Sequence, residues 1–137
     1  MTAKLSLAEA QRALNGALAK ADEIGQPMNV AIVDDAGHLV AFARQDGAIL
    51  GSIDIAVRKA RSAAYFRMTT AELGAAAAPG APLYGIEHTN DGLVIFGGGI
   101  PLAKQRGGPL GAIGVSAGSV EQDTVVAEAG LTAFRGR

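Results

Sequence analysis

The chain has 137 residues, a length that predicts one domain spanning residues 1–137. Apolar residues make up 49% of the sequence and charged residues 18%, which excludes a disordered chain, and a formal net charge of −1 does not favour a sequence-independent nucleic-acid binder. The absence of cysteine excludes disulfides, thiolate nucleophiles and cysteine-ligated zinc.

The N-terminal segment predicts an amphipathic helix over residues 6–24. Ser6 and Glu9 form a capping box, and apolar residues recur at helical spacing until Gly25. This segment lacks the apolar core of a signal peptide, and no apolar run approaches the roughly 18 residues that a membrane span requires. We therefore expect a cytoplasmic protein that does not bind membranes.

The rest of the sequence alternates between strand and helix patterns. Residues 28–44 predict a hairpin, because two apolar, β-branched runs flank the turn Asp34–Gly37. Helix starts are predicted at Ser52, at the capping box Thr69–Glu72 and at the capping box Ser119–Gln122. After the hairpin the patterns predict a helix over 52–66, a short helix over 69–77 and an irregular segment over 79–92. Three strands follow, over 93–96, 100–104 and 110–116, and a last helix begins at 119. This order predicts an α+β fold, in which helices cover a central antiparallel sheet of five strands.

Gly97, Gly98 and Gly99 form a glycine turn after the predicted strand 93–96. The turn matches neither phosphate-binding glycine motif, because Pro101 follows where each motif requires a helix. Successive turn amides can still face a carboxylate. We therefore expect these glycines to bind a ligand through their main chain, with a tight turn of purely structural role as the alternative.

Two titratable groups stand in the long irregular segment. Glu87 and His88 lie in a polar cluster, and long loops in compact domains are often functional. Neutral imidazole is a common metal ligand and proton carrier. His88 is therefore a predicted catalytic residue or axial ligand, and Glu87 a predicted ligand-binding residue, although an exposed loop histidine remains an equal alternative.

Lys59 lies at the boundary of the apolar stripe of helix 52–66, beside Ala56 and Ala60. A lysine close to apolar surface loses its proton easily or binds an anion strongly. The sequence therefore indicates Lys59 as a candidate catalytic or anion-binding residue, with a solvated helix face as the alternative.

Three stretches together resemble the GlcG/HbpS-like family, which also includes the C-terminal domain of PduO-type corrinoid adenosyltransferases. The stretches run from Val33 to Arg44, from Ser52 to Ala63, and from Phe96 through Gly111–Gly118 to Asp123. They cover nearly the whole chain in order. No single motif is specific to the family, but the set is.

The resemblance implies a profilin-like sandwich, a homo-oligomer and, for some members, haem binding or degradation. The family's recurrent polar positions fall on Asp34, Arg44, Lys59, Gln122 and Asp123. Among these we expect Asp123 to be catalytic and Arg44 and Gln122 to bind the ligand. Gln122 also has the spacing of a capping residue, so a partly structural role is expected.

Two functions of different classes follow. The first is a small-ligand-binding protein that holds haem or a corrinoid at a subunit interface, with His88 as the iron ligand and Lys59 or Arg44 at the propionates. The second is an enzyme acting on a small carboxylated metabolite by tautomerisation, hydration or hydrolysis. In both, Lys59, His88 and the glycine turn are expected to converge on one pocket.

Overall fold

A computed structural model describes residues 3–136. Its elements in chain order are α1 (Leu7–Ile24), β1 (Asn29–Asp34), β2 (Leu39–Arg44), α2 (Gly51–Phe66), α3 (Thr70–Ala76), a single 3-10 turn (Ile86–His88), β3 (Gly99–Leu102), β4 (Gly111–Ser116) and α4 (Val120–Phe134). No helix in this part of the chain is long and apolar enough to span a membrane.

The sheet has four strands in the order β2-β1-β4-β3, and every neighbouring pair is antiparallel. The α+β class is confirmed, but the prediction of five strands is wrong, because residues 93–96 do not join the sheet. Their main chain runs against the helices instead: the Val94 N–H donates to the Ser62 hydroxyl of α2. The Ile95 carbonyl also occupies the space where a side chain on Gly74 of α3 would lie. Residues 93–96 are therefore hydrogen-bonded and packed against helices, without pairing with another strand.

Helices cover both faces of the sheet. Small residues of α1 and α4 pack on one face, with Val30, Ile32 and Val115 of the central strands, and α2 packs on the other, with Ala31 and Val33. Gly114 of β4 allows the close approach of α2, since a Cβ there would meet the main chain of Ala56. The many alanine and glycine residues therefore allow the helices to pack closely against the sheet.

Three of the four predicted helix caps are confirmed. Ser6, Thr69 and Ser119 each cap a helix in a complete capping box. Ser52 is not an N-cap: α2 begins one residue earlier, at Gly51, and Ser52 is buried in its first turn. The Ser52 N–H donates to the Ile49 carbonyl, so the preceding main-chain turn satisfies a first-turn amide that a side chain would otherwise cap.

Candidate functional site

A buried ion pair joins α2 to α4. Nζ of Lys59 lies 2.8 Å from Oδ2 of Asp123 and donates a second 2.8 Å hydrogen bond to the Val115 carbonyl of β4. The Lys59 side chain is fully buried, and the Asp123 side chain is 4% exposed. The sequence predicts both as catalytic residues, and the fold brings them together across 64 positions of the chain.

The glycine turn makes room for this lysine. Gly98 has a φ of +125°, and a Cβ built on it would lie 2.6 Å from Nζ of Lys59. Both the backbone conformation and the close approach therefore favour glycine at this position. The structure thus places Lys59 and the glycine turn together, and the turn lies directly against the ammonium group.

The N-terminus of α4 orients the carboxylate. Ser119 caps this helix, and Asp123 lies within its first turns, where a negative charge is favourable. The Gly118 N–H donates to Oδ1 of Asp123 at 3.0 Å, while Oδ2 faces Lys59. Both carboxylate oxygens are therefore fixed by hydrogen bonds.

Burial shifts the proton affinities of the pair toward each other. Desolvation lowers the pKa of Lys59, while its hydrogen bond to Asp123 and the charge of that carboxylate oppose the shift. Desolvation likewise raises the pKa of Asp123, opposed by Lys59 and by the Gly118 amide. Both shifts favour the neutral forms, so the pair is suited to exchanging a proton internally.

The aromatic ring of Phe96 also lies close to the ammonium group. The centroid of its ring lies 5.0 Å from Nζ of Lys59, within cation–π distance. Phe96 is 44% exposed, so the same ring faces solvent. Sequence reasoning missed this residue, although an aromatic side chain directly before Gly97 was a signal for it.

The main chain of the glycine turn is partly occupied within the protein. The Gly99 N–H donates to the Thr70 hydroxyl at 2.9 Å, and the Gly98 carbonyl accepts from the Val115 N–H at 2.9 Å. A side chain at Gly97 would meet Thr124 and Val120 of α4. The Gly99 amide is therefore not free for a ligand carboxylate.

The Glu87 and His88 side chains make no hydrogen bond or ion pair with the buried pair within residues 3–136. Both belong to the 3-10 turn, where His88 is exposed and Glu87 is half-buried. Oε1 of Glu87 is buried without a hydrogen-bond partner among residues 3–136. The turn is thus exposed or half-buried, whereas the ion pair is buried.

Arg44 and Gln122 occupy further positions. Arg44 ends β2, is exposed, and lines a cleft of about 550 Å³ with Asp22 and Asp46. Gln122 completes the α4 capping box, since its Oε1 accepts the Ser119 N–H at 2.9 Å. It also lines a cavity of about 190 Å³ with Ile24 and Val125. A third cavity, of about 340 Å³, lies between Arg67 and Arg106.

The described part of the chain holds no cluster of three histidine, cysteine or acidic side chains that could bind a metal ion. These residues therefore offer no site where protein side chains alone would coordinate a metal ion. A metal ion held in a macrocycle already has most of its ligands, so the protein needs to supply only one or two.

Comparison with known proteins identifies the relatives of the chain. An uncharacterised 15.0 kDa protein from Citrobacter freundii, from the dhaT–dhaS intergenic region, is 42% identical over 96% of this chain and 93% of its own length. The corrinoid adenosyltransferase PduO of the same organism is 39% identical over 97% of this chain, which spans only 40% of that enzyme.

The solved structures agree with these sequences. The PduOC–haem complex superposes with a TM-score of 0.90 and 36% identity, covering 96% of this chain and 95% of the other. The family model described as "Haem degrading protein HbpS-like" matches residues 5–132. The expected resemblance is confirmed: the chain belongs to the HbpS-like family.

Proposed function

We propose that the protein is a small-ligand-binding protein that holds haem between two of its subunits. The observation that carries the proposal is the haem complex of PduOC, whose fold covers almost the whole of this chain. Haem binding by a relative transfers to this chain only if residues here can hold the group. His88 and its neighbours provide that test.

His88 fits the role of an iron ligand. Its side chain is exposed, and Tyr84 and Leu83, four and five residues earlier in the same segment, are 67% and 40% exposed. An exposed imidazole in a segment with exposed aromatic and aliphatic side chains matches the needs of a planar, largely apolar macrocycle. His38 fits less well, because its Nδ1 lies 3.7 Å from Oδ2 of Asp34 in a charged hairpin turn.

We place the haem at a subunit interface because the cavities of a single chain do not include His88. None of the three cavities described above is lined by a histidine. A second subunit would therefore cover the face of the macrocycle that His88 leaves open. We expect a homo-oligomer, and the exposed Tyr84 and Leu83 would then be buried on assembly.

The propionates require a cation other than Lys59. Lys59 is buried and paired with Asp123, so it does not reach a surface ligand. Arg44 is exposed and has no carboxylate within 4.0 Å in the described part of the chain, which makes it the candidate for this contact. When bound, haem would supply redox and oxygen-binding chemistry, while the chain orients the group and limits its access to solvent.

Titration of the purified protein with hemin tests this function. We expect the Soret band to shift and to saturate at a fixed ratio of haem to chain. The His88→Ala variant should alter the position of the bound band, while His38→Ala serves as the matched control and should leave it unchanged. The absence of a saturable shift would overturn haem binding, and a parallel titration with cobalamin would show whether a corrinoid takes its place.

A second candidate function rests on the buried pair. Lys59 and Asp123 are held 2.8 Å apart with both proton affinities shifted by burial, an arrangement suited to proton transfer in an enzyme that acts on a small metabolite. Screening for turnover with Asp123→Asn as the inactive control tests this candidate independently of haem.

A further inference from the structure

The ammonium group of Lys59 has one side left without a hydrogen bond. A lysine ammonium carries three N–H donors. Two acceptors lie within 2.8 Å of Nζ, namely the Val115 carbonyl and Oδ2 of Asp123. The Phe96 ring also adjoins the ammonium group, with its centroid 5.0 Å from Nζ, as does the main chain of Gly98. A ligand atom that reaches Nζ would therefore replace this ring.

The Phe96 ring also reaches the surface of the protein. Phe96 is 44% exposed, and Gly97 and Gly98 beside it have no side chains. Displacement of one aromatic side chain would thus open a path to a fully buried amine. Core lysines packed under several layers of apolar side chains offer no such path.

The ligand class follows from the charge of the site. Asp123 already neutralises Lys59, so an anionic ligand at Nζ would leave a net negative charge in the interior. An uncharged ligand leaves the balance unchanged. Among uncharged groups, a carbonyl both accepts a hydrogen bond from Nζ and reacts with an amine.

We propose that Lys59 forms an imine with small, uncharged aldehydes or ketones, with Asp123 as its proton partner and displacement of Phe96 as the route of access. The inference rests on the second candidate function, for which it names the substrate class, and it is independent of haem binding. A desolvated lysine beside a carboxyl group is a recognised nucleophile toward carbonyl carbon.

Each step balances within the pair. Nζ passes a proton to Oδ2 of Asp123, which leaves a neutral amine beside a carboxylic acid. The amine lone pair bonds to the carbonyl carbon while the carbonyl oxygen takes the proton back from Asp123. The new ammonium nitrogen then returns a proton to Asp123, which delivers it to the departing hydroxyl group as water. The product is a protonated imine beside the Asp123 carboxylate, so the site stays neutral and needs no oxidant or reductant.

Reductive trapping tests the inference in the intact protein. Propionaldehyde and cyanoborohydride at pH 7 convert an imine into a stable secondary amine, which peptide mass spectrometry locates. The sequence contains only four lysines, Lys4, Lys20, Lys59 and Lys104, so each competing site is resolved. We expect labelling of Lys59 to approach one per chain, and the slower labelling of Lys20, whose side chain is 32% exposed, provides the internal reference.

Variants separate access through Phe96 from unfolding. Phe96→Ala should speed labelling of Lys59 about tenfold without changing Lys20, and Asp123→Asn should slow it. Ile32→Ala, which perturbs the core on the other face of the sheet, is the matched control and should not speed it as much. Failure to label Lys59 in the wild-type protein would overturn the proposal, as would equal acceleration in Ile32→Ala. Because trapping requires no turnover, a labelled but inactive protein would reject the enzyme candidate and keep the imine site.

Discussion

Lys59 and Asp123 form an ion pair with a 2.8 Å separation between Nζ and Oδ2, almost wholly removed from solvent. Transfer of two charges from water into a protein interior costs several kcal/mol for each ion, and their attraction repays this only where the remaining polar atoms are also satisfied. Here the Val115 carbonyl accepts a second hydrogen bond from Lys59 and the Gly118 amide donates one to Asp123, while the third ammonium N–H makes no hydrogen bond within residues 3–136.

Removal of one partner should destabilise the fold strongly. We expect Lys59→Met to lower the free energy of unfolding by about 3–5 kcal/mol, because it leaves the Asp123 carboxylate buried and unpaired. The double variant Lys59→Met/Asp123→Leu should be no less stable than the single one. Chemical denaturation measures both, with Lys20→Met as the control, since the exposed Lys20–Glu23 pair should contribute at most about 1 kcal/mol. Strictly additive effects of the two substitutions would contradict the coupling.

A side chain on the glycine turn should conflict with the buried lysine. Gly98→Ala combines a φ of +125° with a Cβ 2.6 Å from Nζ of Lys59 and 2.7 Å from the Val115 carbonyl. We expect a loss of about 2–5 kcal/mol, as the sum of backbone strain and overpacking. Gly107→Ala is the matched control, because Gly107 also has a positive φ but would have nothing within 4 Å of its Cβ. Equal thermal midpoints for the two variants would show that contact with Lys59 is not the cause.

Local patterns predicted much of this fold. The capping boxes at Ser6, Thr69 and Ser119 involve residues three positions apart, so the sequence alone contains each signal. The hairpin of β1 and β2 was predicted for the same reason. The segment 93–96 was assigned wrongly because its partners, Ser62 and Gly74, belong to distant helices that no local pattern reveals.

The candidate site shows the same limit. The position of Lys59 at the edge of an apolar stripe indicated an unusual lysine, and the family resemblance indicated Asp123. Their contact depends on the packing of α2 and α4 about β4, which only the fold defines. The expected convergence of Lys59 and His88 was argued from sheet connectivity that included the absent fifth strand; the structure buries Lys59 and leaves His88 exposed on the 3-10 turn.

Gln122 should contribute to stability through helix capping. Its Oε1 accepts the Ser119 N–H, and its own N–H donates to the Ser119 hydroxyl at 3.1 Å. Gln122→Ala should therefore lower the free energy of unfolding by about 0.5–2 kcal/mol, while Gln122→Glu, which retains the acceptor, should cost less. An unchanged thermal midpoint in Gln122→Ala combined with lost ligand binding would show that the residue serves the ligand instead.

Acid should remove one identifiable contribution to stability. The Ser6 amide, the Ser6 hydroxyl and Lys104 together lower the pKa of Glu9 below its ordinary value of 4.5, although desolvation opposes them. A carboxyl group with a lowered folded-state pKa stabilises the protein above pH 4.5 and loses that contribution as the pH falls through the folded-state value. The thermal midpoints of wild type and Glu9→Gln should therefore differ at pH 7 and converge as the pH falls below the folded-state pKa of Glu9. A difference that grows toward acid pH would reverse the sign and contradict the capping interaction.

The most direct test of haem binding at a subunit interface is sedimentation velocity of the hemin-loaded protein, followed by absorbance at the Soret band. The chain has a mass of 13.8 kDa. We expect all of the Soret absorbance to sediment with an oligomer, and His88→Ala to weaken that association of haem with the oligomer. Soret absorbance that sediments with a 13.8 kDa monomer, or that remains with free hemin, would contradict the proposed interface site.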